Sequence, residues 1–336
     1  MCIRDRTYDA YVINETMMGY GIDNSEQEQW LVENGFRIHP TTYSVAASTL
    51  FTMGRVFGVR PPLQHSASGD GADGGKHQLR RSVSGDGPLF RQLKQAGYTT
   101  YGIFWSGYFF RGVGSHYDVS FPPEGSSALT LSSAIYEGVF RHDASFRKPT
   151  YDLFVAEKRL RLSEKSSTPK FVYTHTGPSH SQNSGQCLAD ETALFEDRLA
   201  IANVEMKADV LAIRDSDPDA IIIVNGDHGP YLTLNCRGIT ETPQHEINRL
   251  HLQDRYGTFL AIFGPPEFVE NFEPTVIQDL APAVLNHIYP ENSFEEYVFA
   301  PEVPLYRNVT RGVLINNGII DGGKDDGQRL YQNNGE

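Results

Sequence analysis

An aspartate and a histidine stand side by side at Asp227-His228, with Gly226 before them and Gly229 after. A carboxylate and an imidazole offered together suit a divalent metal of the zinc or manganese type, and the flanking glycines let the backbone turn sharply and approach a ligand closely. The apolar run Ala220-Ile221-Ile222-Ile223-Val224 leads directly into the pair. A continuous β-branched run reads as a buried strand of a parallel sheet, where ligands bind just beyond the carboxyl ends of strands. A strand that simply ends in a polar turn has the same sequence, so the pair needs companions elsewhere in the chain.

Three such positions fall at expected strand ends or helix starts. Glu15 closes a short strand at Tyr11-Val12-Ile13, Ser44 precedes a helix of small residues over 45–53, and His175 with His180 follows a strand at Phe171-Val172-Tyr173-Thr174. Ser25-Glu26-Gln27-Glu28 resembles a capping box that opens a helix ending at Gly35. Pro88 suits the first turn of another helix and Gly97 its end. Further strands are expected at 98–105 and 259–263, and further helices at 151–162, 190–214 and 276–288. Strands alternating with helices at this rhythm predict an α/β fold, a largely parallel central sheet with helices on both faces.

The rest of the chain is punctuated by polar stretches. Residues 61–87 carry Pro61-Pro62 and two copies of Ser-x-Ser-Gly-Asp-Gly, at 66–71 and 82–87, and read as a flexible loop. They lack the further carboxylates that a calcium loop requires. Residues 318–336 are polar and glycine-rich, which predicts a disordered tail. Residues 1–7 read as a lead into the first strand, and a strand so near the start is expected of a chain that continues upstream. A single domain is therefore expected over 8–310.

Composition narrows the functional classes. The 336 residues carry a formal charge of -13, which argues against nonspecific binding to nucleic acid or to an anionic membrane face. No apolar run approaches the ~20 residues needed to span a bilayer. Cys2, Cys187 and Cys236 are too few and scattered for a thiolate metal site, although Cys187 and Cys236 have the option of one bridge in an oxidising compartment.

The order of strand-Glu, hydroxyl at a helix start, Gly97-Tyr98 after a helix, His175-x4-His180 and strand-Gly226-Asp227-His228-Gly229 resembles the alkaline-phosphatase superfamily. The likeness is to its sulfatase-like branch, with the sulfatases, phosphoethanolamine transferases and lipoteichoic acid synthases, and it spans about residues 8–306. It implies an alkaline-phosphatase-like fold and a metal-dependent hydrolase or transferase acting on phosphoryl groups of a lipid or glycan. By this resemblance Glu15, Asp227 and His228 hold the metal together with the nucleophile. Zinc or manganese is expected, or calcium in a true sulfatase. Ser44 fits the nucleophile as a helix cap, where the dipole and free N–H groups favour an anionic ester; Thr42 is the rival. A hydroxyl is a poor nucleophile near its free pKa, which is why metal coordination accompanies it. His175 and His180 resemble histidines that contact the ester oxygens or protonate the leaving group. His245 and His251 lie where relatives often place one more substrate histidine.

The departures from the family pattern bear on substrate. Sulfatases carry Pro and Arg at the second and fourth positions after the nucleophile, the signal for oxidation to formylglycine; counted from Ser44 these are Ala46 and Ser48. A serine or threonine that forms a covalent phospho-enzyme is expected instead. The runner-up readings are a sulfatase acting on a sulfated glycan and a noncatalytic binding member of the fold. The family's lipid- and glycan-modifying members imply an extracytoplasmic location, with any membrane anchor in an upstream segment.

Overall fold

All six residues of Ile221–Gly226 are buried, as a strand covered on both faces requires. The computed structural model describes residues 2–59, 72–123, 149–179, 188–235, 239–291, 302–304 and 313–332. Its strands are β1 (Ile3–Tyr8), β2 (Arg37–Ile38), β3 (Thr99–Phe104), β4 (Val119–Phe121), β5 (Lys170–Thr176), β6 (Ile221–Gly226) and β7 (Leu260–Phe263). They form one seven-stranded sheet in the order β2-β7-β6-β1-β5-β3-β4. From β6 to β4 every neighbouring pair is parallel, whereas β7 runs antiparallel to β6 and β2 antiparallel to β7. The sheet is thus largely parallel, with an antiparallel edge.

The helices, in chain order, are α1 (Asn14–Met18), α2 (Ser25–Glu33), α3 (Thr49–Gly58), α4 (Ala72–Arg81), α5 (Pro88–Gln95), α6 (Tyr151–Ser163), α7 (Glu191–Ser216), α8 (Arg249–Tyr256), α9 (Pro266–Val269) and α10 (Leu280–Ile288). Side chains alternate across the strands, and each face acquires its own core. On one face Phe171, Tyr173, Ile221 and Ile223 pack with Met53 and Phe57 of α3, Phe90 of α5 and Val284 of α10. On the other, Val172, Ile222 and Val224 pack with Phe154 of α6 and Met206, Val210 and Ile213 of α7. Each such side chain contributes about 1.5–3 kcal/mol on burial, so both helical layers are anchored.

Several expectations require correction. The first strand is β1, not Tyr11-Val12-Ile13, and residues 1–7 are therefore not a mere lead. β1 escapes an apolar-pattern search because it carries Arg4, Asp5 and Arg6, all buried. Their charges find partners: Arg4 pairs with Asp217 at 3.3 Å, Asp5 accepts from Asn225 Nδ2 at 2.7 Å, and Arg6 pairs with Asp209. The helix expected over 45–53 starts only at Thr49, with Ser48 as its extended N-cap. Within the expected loop 61–87, residues 72–81 form α4 and Ser82–Asp86 a π-helical turn whose Val83 and Ser84 are buried; residues 61–71 lie outside the described residues. The expected tail is packed as far as it is described. Leu314–Asn316 (β9) and Ile319–Asp321 (β10) pair antiparallel beside Glu302–Pro304 (β8), and Ile320, Leu330 and Tyr331 are buried. Three apolar anchors among many polar residues are enough to dock it.

Candidate metal and nucleophile site

Register builds the site. Tyr8, the last residue of β1, lies opposite Thr176 of β5 and Gly226 of β6, so the three strands end at one level. The next residue on β1 is Asp9 and the next on β6 is Asp227. Gly226 and Gly229 are required by space: a Cβ at Gly226 would lie 1.8 Å from Tyr11 O, and one at Gly229 would lie 2.2 Å from Asp254 O. The pair Asp227-His228 is held by tight backbone on both sides.

Asp9, His175 and Asp227 offer ligand atoms that all lie within 4.8 Å of one another. His175 Nε2 is 3.6 Å from Asp227 Oδ2. On the other side of the carboxylates, His228 Nε2 is 3.4 Å from Asp9 Oδ1 and 3.5 Å from Asp227 Oδ2. His228 Nδ1 lies 2.8 Å from Gly229 O. A carbonyl only accepts, so Nδ1 donates this bond, and Nε2 is the ring nitrogen directed at the carboxylates. The fifth member is Thr49, the first residue of α3, whose Oγ1 is 3.2 Å from His228 Nε2.

The charges are mutually dependent. Burial, with Asp227 alongside, raises the pKa of Asp9. Burial also pushes Asp227 up, but His228 and His175 outweigh it and hold that carboxyl below the usual range. His175 is raised despite its burial, because Asp227 and Asp9 favour the imidazolium. Asp227 Oδ1 accepts from Ala10 N and His228 N, each at 3.0 Å, while its buried Oδ2 has no hydrogen-bond donor. Such an oxygen beside a second carboxylate calls for positive charge, which protons on the two imidazoles or a cation can supply. The donor set of two carboxylates and imidazole nitrogen suits zinc or another borderline divalent ion. Backbone strain gathers here too. Ala10, Ser179 and Tyr231, three of the five non-glycine residues with positive φ among the described residues, border the cluster, as is common at functional sites. Asp9, Thr49, His175 and His228 line a cavity of about 880 Å³, together with Trp105 and Arg198.

The remaining expected site residues lie elsewhere. Glu15 sits on α1, where its carboxylate accepts from Gln253 Nε2 at 3.1 Å and Gln332 N at 3.0 Å; with β1 at 3–8, Asp9 takes the position after the first strand. Ser44 is fully buried, its Oγ 2.9 Å from Thr52 Oγ1 and accepting from Ala46 N and Gln278 Nε2 at 3.1 Å. Thr42 Oγ1 donates to Pro274 O at 3.4 Å. Neither lines the cavity. His180 lies outside the described residues, as do Cys187 and Cys236. His245 is exposed beside Glu246, and His251 caps α8. Asp9 and Thr49 were missed. Thr49 had a signal, in the polar Ser48-Thr49 step before the apolar Leu50-Phe51 that marks a helix start.

Comparison with models of protein families finds no match, and comparison with curated proteins finds none. Solved structures do match. The zinc complex of the C-terminal periplasmic domain of EcEptC from Escherichia coli superposes with a TM-score of 0.55 at 12% identity, covering 94% of this chain and 92% of that one. The fold is alkaline-phosphatase-like. The lipoteichoic acid synthase LtaP from Listeria monocytogenes shares it, with a TM-score of 0.50 at 11% identity over 98% of this chain and 83% of that one. In the alkaline-phosphatase-like fold of this chain, Asp9, Thr49, Asp227 and His228 meet at the carboxyl edge of the sheet. Among the described residues no helix is long and apolar enough to cross a membrane.

Proposed function

We propose that the protein is a metal-dependent phosphoester hydrolase or phosphoryl transferase with Thr49 as nucleophile. The observation that carries this reading is the cluster of Asp9, Asp227, His175 and His228, the last of them 3.2 Å from the hydroxyl of Thr49 at the start of a helix and in the wall of a cavity. Asp9, Asp227 and His228 would hold the metal. When bound, a divalent ion withdraws charge from phosphoryl oxygens and makes a neighbouring hydroxyl more acidic. The N-terminal N–H groups of the ten-residue helix α3 suit the non-bridging oxygens of a phosphoryl group. Thr49 Oγ1, having given its proton to solvent, forms a bond to phosphorus as the bond to the leaving oxygen breaks. His175, at the edge of the cluster and in the cavity wall, would supply the leaving oxygen with a proton. Water or an acceptor hydroxyl then attacks phosphorus and frees Thr49.

A sulfatase is less well supported. Formylglycine is an aldehyde made from cysteine or serine, and the β-methyl of Thr49 bars that conversion. The zinc complex of the EcEptC domain and the lipoteichoic acid synthase of the same fold favour zinc, a phosphorylated lipid or glycan substrate and an extracytoplasmic setting.

The test is turnover of nitrophenyl phosphodiester, phosphomonoester and sulfate with added zinc, manganese or calcium. Metal-dependent phosphoester cleavage is expected, falling on the order of 10³-fold or more in Thr49→Ala, with a phosphoryl adduct seen by mass spectrometry only when Thr49 is present. An adduct on Ser44 or Thr42 would move the nucleophile, and preferred sulfate cleavage would replace the reading by the sulfatase. Zinc binding without turnover of any ester would favour a noncatalytic member.

A further inference from the structure

Tyr231 lies three residues beyond His228, on the turn that leads away from β6. Its backbone φ is 64°, in the left-handed region that costs a residue with a β-carbon about 1–2 kcal/mol. Helix α8 holds it there. Tyr231 N donates to Asp254 O at 3.3 Å, and the buried Asp254 carboxylate accepts from Leu232 N at 2.7 Å and from Thr233 N and Oγ1 at 3.2 and 2.6 Å. The guanidinium carbon of buried Arg255 lies 3.9 Å from the centre of the Tyr231 ring. A desolvated cation over an aromatic face is a strong contact, worth about 2 kcal/mol.

The Tyr231 ring stacks in turn on His228, with centroids 5.3 Å apart and planes at 29°. That separation leaves no room for a guanidinium between the rings, so Arg255 covers the face turned away from His228. The contacts of Nδ1 with Gly229 O and of Nε2 with Thr49 Oγ1 hold the two ends of the His228 ring but do not by themselves stop it rocking about the line that joins them. A flat surface clamped from behind removes the rocking.

We infer that Tyr231 is a positioning residue: with Arg255 behind it, its ring holds the His228 imidazole so that Nε2 faces Asp9, Asp227 and Thr49. This inference rests on the reading of His228 as a metal ligand. The phenolic hydroxyl has no part in it, whereas the ring does. Because strain and stacking reside in one residue, substitutions separate them. Tyr231→Phe keeps the ring, Tyr231→Ala removes it and keeps the strain, and Tyr231→Gly removes both.

The experiment measures the zinc dissociation constant of the metal-stripped protein by competition with a chromophoric chelator, alongside melting temperature and the kcat and KM for nitrophenyl phosphodiester. Wild type and Asp227→Ala are measured first; a wild type that binds no zinc overturns the metal reading, and this inference with it. Given zinc binding, Tyr231→Phe should match wild type. Tyr231→Ala and Tyr231→Gly should both lose about 10-fold or more in zinc affinity, in the range for residues that orient metal ligands, with kcat falling more than KM rises. Tyr231→Gly should melt above Tyr231→Ala yet bind zinc no better. Wild-type zinc affinity and kcat in the ringless variants would overturn the positioning role and leave the metal site standing. Zinc affinity that follows melting temperature, with glycine better than alanine, would also overturn it. If the alanine variant does not fold, the glycine and phenylalanine variants decide alone.

Discussion

Two buried clusters of charge border the first strand, one on its flank and one beyond its end. On the α6–α7 side, Arg6 and Lys158 meet Asp209 and Glu205, with Lys158 Nζ 2.8 Å from a carboxylate oxygen of each. Arg6, Lys158 and, 3.8 Å from Asp209 at the surface, Arg159 answer the two carboxylates, so the cluster is balanced within the chain. At the carboxyl end, Asp9 and Asp227 converge with His175 and His228, and balance there requires protons or an ion from outside. Both clusters pay to leave water, but the first is compensated within the chain and the second is not. A buried polar group is therefore a poor sign of function by itself; the sign is a group whose partners have the wrong charge.

The largest effect that tests this contrast is on turnover. Asp227→Ala should abolish metal-dependent activity, by about 10³-fold or more, and lower the stability of the metal-free protein in urea by about 1–3 kcal/mol, since Ala10 N and His228 N lose their buried acceptor. Lys158→Ala should lose about 3 kcal/mol of unfolding free energy, because Glu205 loses its ion-pair partner and Asp209 one of its cations, with the folded protein still active. Lost activity in a stable Lys158→Ala protein would break the comparison. Next in size, zinc at 100 times its dissociation constant should add about 2.7 kcal/mol to wild type and to Lys158→Ala, and nothing to Asp227→Ala, as read by thermal melts.

A third carboxylate shows what burial does with no cation nearby. Glu28 accepts from Asn14 N at 2.6 Å, yet burial raises its pKa from 4.5 to about 7. Its folded pKa lies above the unfolded one, so its contribution is most favourable below about pH 4.5 and declines as pH rises toward 7. Glu28→Gln should flatten the stability profile across that window, the smallest of these effects. A profile unchanged by the substitution would show that Glu28 is solvated.

The sequence was most legible where one signal sufficed. The β-branched run 220–224 gave β6, and Pro88 and Gly97 bracketed α5 because proline and glycine act through local backbone geometry. Asp227 and His228 stood out for the same reason, between glycines that admit no side chain. What stayed hidden depends on pairing at a distance. β1 looked like a polar lead because Arg6 is acceptable in a core strand only opposite Asp209, 203 residues further on. With the first strand expected at 11–13, Glu15 rather than Asp9 stands after it, and the sequence alone points to Glu15. Thr49 was passed over because Val45, Ala46 and Ala47 read as helix, whereas the chain stays irregular until Ser48 caps it. The buried Leu330 and Tyr331 could not be told from an exposed tail by composition.

The common level at which β1, β5 and β6 end also has a consequence for how the protein is made. Ala10 and Asp227, which are joined by a hydrogen bond at the site, stand 217 residues apart, and loop-closure entropy opposes their meeting until intervening strands are in place. A nascent chain that has emerged only as far as His175 holds Asp9 and Thr49 but no complete cage. On the proposed metal reading, capture of an ion would be a late event in biogenesis and would report that the centre of the sheet has been assembled in register.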